Sequence, residues 1–210
     1  MQDSYKTIRG ECETSFTEKK SEFIGSLRHV DTPDEAIAFI SEIKNRHKAA
    51  RHYCYAYICR KDNTLRYSDD GEPQGKAAIP MLEVLNANEL TDVCLVVTRY
   101  FGGILLGGGG LARAYSKSAA MTVAAADRVS MELCVLCDIV SDYSLTDKIR
   151  YALQDFTLEE RGVDYSDRVV LRISIIKEEF EALSKKITDV SKGKAIINIT
   201  DEKFHPIARK

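Results

Sequence analysis

Six of the chain's 12 glycines fall within nine positions: Gly102, Gly103, Gly107, Gly108, Gly109 and Gly110. They follow a continuous apolar, β-rich run over 93–98 and precede an alanine-rich, helix-forming stretch over 111–126. Glycine admits positive φ and lets another backbone or a ligand approach closely. A glycine loop that joins a buried strand to a helix start also offers unpaired N–H groups and the positive end of the helix dipole, which suit an anion. Arg99 and Arg113 flank the loop and Lys117 lies one turn further along the helix, so an anion or nucleic-acid phosphate site is the chemistry this pattern supports. Neither the Lys-Ser/Thr of a P-loop nor a dinucleotide G-x-G-x-x-G with its later acidic residue is convincingly present. The competing reading is a tight connection that packs the helix onto the sheet.

A second candidate is the turn 68–76, where Asp69, Asp70 and Glu72 could hold Mg²⁺ or orient a water. The plainer alternative is a solvated turn in which an aspartate bonds its own backbone. A basic stretch (Lys44, Arg46, Lys48 and Arg51) is the third, beside Tyr53, Tyr55 and Tyr57, which alternate onto one strand face. Such a face could stack bases, although aromatic stripes on strands more often serve a core. His47 and His52 read as surface or hydrogen-bonded residues. Cysteines 12, 54, 59, 94, 134 and 137 lie mostly in apolar strand-like runs and read as buried, reduced thiols. Cys134 and Cys137 point to opposite faces of a strand, which is poor geometry for one metal. No metal ligand set and no cofactor is assigned.

Residues 4–30 read as two strands around a polar turn at 17–19. A helix follows with Thr32 as N-cap, Pro33 at N1 and Glu35 completing a capping box; Ala36, Ile37, Phe39, Ile40 and Ile43 form its apolar stripe. Strands over 52–59 and 65–68, a helix over 77–85, the buried strand and the glycine-led helix complete a first domain, 1–137, with 131–137 as its last strand. Residues 138–210 restart as β-α-β-β-α-β, the split βαβ or ferredoxin-like plan, with 164–167 as the hairpin turn. The fold class is α+β. The formal net charge is -2, divided as -1 in each domain, so nucleic-acid binding has to rest on a local patch. No apolar stretch is long enough for a membrane span and the first residues lack a signal-peptide core, so a cytoplasmic chain without membrane contact is expected.

Lys20-Ser21-Glu22-Phe23-Ile24, Ser68-Asp69-Asp70-Gly71-Glu72-Pro73, Arg99-Tyr100-Phe101-Gly102-Gly103, and Leu106-Gly107 with Gly109-Gly110-Leu111-Ala112-Arg113-Ala114-Tyr115 together resemble the IMPACT/YigZ family over the whole chain. The family's Gly-Thr-Ala-Gly-x-Pro stretch stands here as Gly75-Lys76-Ala77-Ala78-Ile79-Pro80. The resemblance implies an N-terminal domain like domain 2 of ribosomal protein S5 and a C-terminal domain like the last domain of elongation factor G. It also implies translation regulation, with RNA, the ribosome or a ribosome-associated protein as partner. The alternatives are an enzyme or binder of nucleotides or other phosphorylated small molecules with Mg²⁺, and a protein–protein adaptor.

Overall fold

A computed structural model describes residues 4–207 and divides the chain into two compact units, Tyr5–Val129 and a second from Ser130 onward. The first unit begins with β1 (Ser4–Ile8), β2 (Glu11–Glu18) and β3 (Ser21–His29), then α1 (Pro33–Arg46), β4 (His52–Cys59), β5 (Thr64–Ser68), α2 (Ala78–Ala87), β6 (Val93–Tyr100) and α3 (Gly107–Ala125). The N-terminal region thus holds three strands where two were expected. Gly10 at positive φ turns the chain between the first two. Lys19 and Lys20, at φ 45 and 65, form the two-residue hairpin loop between the next two.

The sheet of this unit runs β2-β3-β6-β4-β5, with every pairing antiparallel. The central strand β6 is covered on both faces, which is why its sequence is continuously apolar rather than alternating. Cys94 and Val96 meet the α1 side with Phe39 and Ile43, while Val93, Leu95 and Val97 meet the α2 and α3 side with Met81, Leu85 and Tyr115. Helix α1 starts as its sequence specifies. The Thr32 hydroxyl accepts from Glu35 N–H at 3.3 Å, and the Glu35 carboxylate accepts from Asp31 N–H at 2.8 Å. Ile37, expected within the apolar stripe, is instead exposed, because it lies beside the face formed by the buried Ala36, Phe39, Ile40 and Ile43. Helix α3 packs so closely on β3 that a Cβ on Gly25 would lie 2.2 Å from Thr122 Oγ1.

The second unit contains β7 (Arg128–Ser141), a 3-10 turn (Tyr143–Leu145), α4 (Thr146–Leu153), β8 (Leu158–Tyr165), β9 (Val169–Ile176), α5 (Lys177–Ser191) and β10 (Ile196–Pro206). Its strands lie in the order β10-β7-β9-β8, all antiparallel, and complete the expected β-α-β-β-α-β succession. Residues 131–137, expected to close the first domain, instead lie inside β7, where 131–140 pairs with β10 and 134–141 with β9. No glycine or proline interrupts that 14-residue strand, so nothing ends it at 137. Cys137 enters the core beneath α4 and α5 with Ile139, Ile173 and Leu183, whereas Cys134 joins Leu136, Ile176 and Ile207 on the opposite face. No helix among the described residues is long and apolar enough to cross a membrane.

Candidate anion-binding site

The turn 68–76, the end of β6 and the start of α3 converge, and a buried ion pair joins them. Arg99 leaves β6 with its side chain 6% exposed and donates from Nη1 to Glu72 Oε1 at 2.7 Å; the Glu72 side chain is 4% exposed. Tyr115, from the third turn of α3, donates its hydroxyl to the same Oε1 at 2.9 Å. The guanidinium lies 5.4 Å from the ring centres of both Phe23 and Phe101, and its Nη2 reaches Ser21 Oγ at 3.4 Å. Arg99 therefore faces inward, and its charge is already neutralised. This placement departs from the expectation that Arg99 receives an external phosphate. Burial, with the Cys54 thiol and Glu72 beside it, pushes the Tyr115 phenol far above its ordinary range, so it stays a hydrogen-bond donor.

The other two carboxylates of the turn are also engaged. Asp69 accepts from the N–H groups of Gly75 at 2.8 Å, Ala77 at 3.0 Å and Ala78 at 2.9 Å, and so caps α2 from nine residues upstream. Asp70 accepts from Tyr53 N–H at 2.7 Å and faces Lys44 Nζ at 3.4 Å, while its carbonyl lies 2.9 Å from His52 Nδ1. The three carboxylates thus serve three different elements, and no group of acidic, histidine or cysteine side chains among the described residues is arranged to hold a metal. The Mg²⁺ expectation for Asp69, Asp70 and Glu72 loses its ligands to these bonds.

The basic stretch after α1 is partly consumed as well. Arg46 pairs with Glu11, Glu13 and Glu42, and Lys44 with Asp70, while Arg51 and Lys48 remain exposed. Tyr53 donates its hydroxyl to the carbonyls of His47 at 2.7 Å and Ala50 at 3.3 Å, which pins the end of α1. Tyr53, Tyr55 and Tyr57 all pack with the α1-side core, so the tyrosine stripe is structural rather than a stacking platform. His47 and His52 are both hydrogen-bonded, to Tyr100 and to the Asp70 carbonyl.

The glycine run divides in two. Gly102 and Gly103 lie in the loop, and a Cβ on Gly102 would fall 1.9 Å from the Lys20 carbonyl oxygen, so only glycine lets the β2–β3 turn approach. Gly107, Gly108, Gly109 and Gly110 were expected in the same loop, yet they form the first turn of α3. No side-chain hydrogen bond caps that helix start among the described residues. Around it stand Lys19, Lys76, Arg113 and Lys117, none with an ion-pair partner among the described residues. Lys76 runs within 3.7 Å of the position a Cβ on Gly108 would take, on the flank of α3 opposite Arg113 and Lys117. Lys117 Nζ lies 4.4 Å above the Phe16 ring. On the Arg113 flank, a pocket of about 270 Å³ is bounded by Phe16, Glu18, Lys19, Leu106, Arg113 and Lys117. Sequence reasoning missed Lys19 and Lys76; the cation at the start of the 76–80 stretch, where the family pattern has threonine, was the available signal.

Comparison with known proteins agrees with this architecture. The Impact N-terminal domain matches residues 19–123 and a domain of unknown function (DUF1949) matches residues 139–194. The chain is 39% identical over 198 residues to the IMPACT family member YvyE of Bacillus subtilis, covering 94% of this chain and 91% of that protein. It is 33% identical over 178 residues to the IMPACT family member YigZ of Escherichia coli, covering 83% and 87%. A crystal structure described as that of a hypothetical protein superposes with a TM-score of 0.62 at 29% identity, over 97% of this chain and 100% of that one. The motifs, the two matched domains and these full-length relatives agree: the chain belongs to the IMPACT family.

Proposed function

We propose that this chain is a translation-associated binding protein that holds RNA phosphates, on the ribosome or in a ribosome-associated complex, at the start of α3. The observation that carries the reading is the set of cations without ion-pair partners among the described residues, Lys19, Lys76, Arg113 and Lys117, gathered on both flanks of the glycine-built N-terminus of α3. Arg28, Arg46, Arg99 and Arg150 are neutralised by carboxylates, whereas other cations, such as Lys48 and Arg51, form no ion pair among the described residues but do not border the α3 pocket. Cations placed at the positive end of a helix repel it, an arrangement that an incoming anion relieves. Cations on two sides of one helix end suit a chain of phosphates better than a single one. With a net charge of -2, binding is local and falls steeply with salt.

Titration of a structured RNA by filter binding tests this with the double substitution Arg113→Ala, Lys117→Ala. Loss of two phosphate contacts flattens the slope of log K against log salt by about 1.4 to 1.8 and weakens low-salt binding more than tenfold. Arg99 stays intact in this test because removing it would expose a folding defect rather than a binding one. Unchanged retention by the folded double variant would show that the phosphates sit elsewhere.

A protein contact on the same edge is favoured by a separate observation. Leu105 is 81% exposed and its neighbour Ile104 41%, an adjacent aliphatic pair at the tip of the 101–106 loop. Leu105→Ser should leave binding of bare RNA unchanged and reduce pelleting with intact ribosomes several-fold. Equal loss on both would assign the tip to RNA instead.

A further inference from the structure

The pocket on the Arg113 flank contains one group that does not fit a plain phosphate site. Glu18 ends β2, pairs with Ser21 across the Lys19–Lys20 turn, and is half-buried at the pocket wall among three cations. Among the described residues it forms no hydrogen bond and no ion pair with Lys19, Arg113 or Lys117. The backbone beside it forms a tight turn, with both central residues at positive φ and the Lys20 carbonyl packed against Gly102. A carboxylate beside a phosphate site repels the phosphate, and that penalty is removed only when the ligand donates a hydrogen bond to it. Phe16, on the same strand face as Glu18, and Leu106 supply the apolar part of the lining.

The occupant must therefore bring an anion for Arg113, Lys117 and Lys19, a hydroxyl donor for Glu18, and a compact body for the Phe16–Leu106 wall. A ribonucleotide unit carries all three on its sugar and phosphate whatever its base, whereas within a deoxyribonucleotide strand only a base N–H is left to donate and inorganic phosphate lacks the body. From this we infer that the pocket takes one ribonucleotide of the bound strand, with Glu18 accepting a hydrogen bond from its 2′-hydroxyl, so that Glu18 sets the preference of this site for RNA over DNA. The inference rests on the phosphate-binding reading of the α3 start and adds to it the identity of the sugar. A carboxylate placed to bond a sugar hydroxyl rejects the analogue that lacks it, because the carboxylate is then left facing a phosphate with nothing donated in return.

Fluorescence anisotropy with single-stranded RNA and DNA of matched sequence, at one low salt concentration, tests it. The wild-type protein binds the RNA about tenfold more tightly than the DNA. In Glu18→Ala the gap closes from both sides, with DNA binding tightened and RNA binding weakened. Glu18→Gln keeps an acceptor and loses the charge, so it retains part of the RNA preference while gaining affinity for DNA. Equal binding of the two strands by the wild type, or a preference that survives unchanged in Glu18→Ala, overturns the role of Glu18 and leaves the phosphate site standing. Failure of the wild type to bind either strand overturns the phosphate site itself.

Discussion

At the scale of single residues, the same side-chain chemistry has opposite uses depending on what faces it. Arg99 and Arg113 flank one glycine run, yet Arg99 is closed over by Phe23, Phe101 and Glu72, and Arg113 is exposed. Removing one partner of a buried pair strands the other charge, whereas an exposed cation can be deleted with little effect on folding. Glu72→Gln should therefore cost about 3–5 kcal/mol of stability, read as a lowered midpoint of urea unfolding. A wild-type midpoint in that variant would contradict the buried pair. The sequence could not distinguish the two arginines. The carboxylate that neutralises Arg99 lies 27 positions away, and only the fold brings it to the strand end. Arg46 reads as a free cation for the same reason, since Glu11 and Glu13 reach it from β2.

Among the elements, the contrast lies between two helix starts. The N-terminus of α2 is capped by Asp69, which accepts from Ala77 and Ala78 N–H, while that of α3 is built from glycines and has no side-chain cap among the described residues. Glycine has poor helix propensity, so the sequence pattern starts α3 at 111, four residues late. In contrast, α1 was legible because Thr32, Pro33 and Glu35 announce its start and an apolar stripe at helical spacing follows. The β-α-β-β-α-β unit was legible for a related reason, since its periodicity switches between 2 and 3.6 at each boundary. Gly109→Asp meets no steric obstacle, its nearest neighbour being Arg113 Nη1 at 3.6 Å. It replaces a poor helix former and sets a negative charge at the positive end of α3, which should raise stability by about 1 kcal/mol in thermal or urea unfolding. A destabilised variant would show that this first turn is strained rather than open.

For the whole molecule, the distribution of thiols predicts how stability responds to pH. Burial pushes Cys59, Cys134 and Cys137 from the ordinary 9.0 up to about 11, and moves Cys54 and Cys94 in the same direction. The folded state therefore keeps its protons where the unfolded chain has lost them. Stability is retained below about pH 9 and declines as pH rises toward 11, by about 1.4 kcal/mol per pH unit for each thiol so perturbed. Melting temperatures from pH 7.5 to 10.5 should be level at first and then fall steeply, and a level profile throughout would contradict the burial of these side chains. Charge behaves differently at this scale. A net charge of -2 gives no hint of a cationic face, because the local excess arises only where the turns carrying Lys19 and Lys76 fold against α3.

The central claim is that the open, glycine-built start of α3 receives phosphates, and Gly109→Asp separates that claim from any effect on folding. Co-sedimentation with ribosomes and with bare structured RNA, at low and at moderate salt, would be compared for the wild type and this variant. The account predicts salt-sensitive pelleting of the wild type and its loss in the variant, even though the variant is the more stable protein. Pelleting of both proteins to the same extent would contradict it.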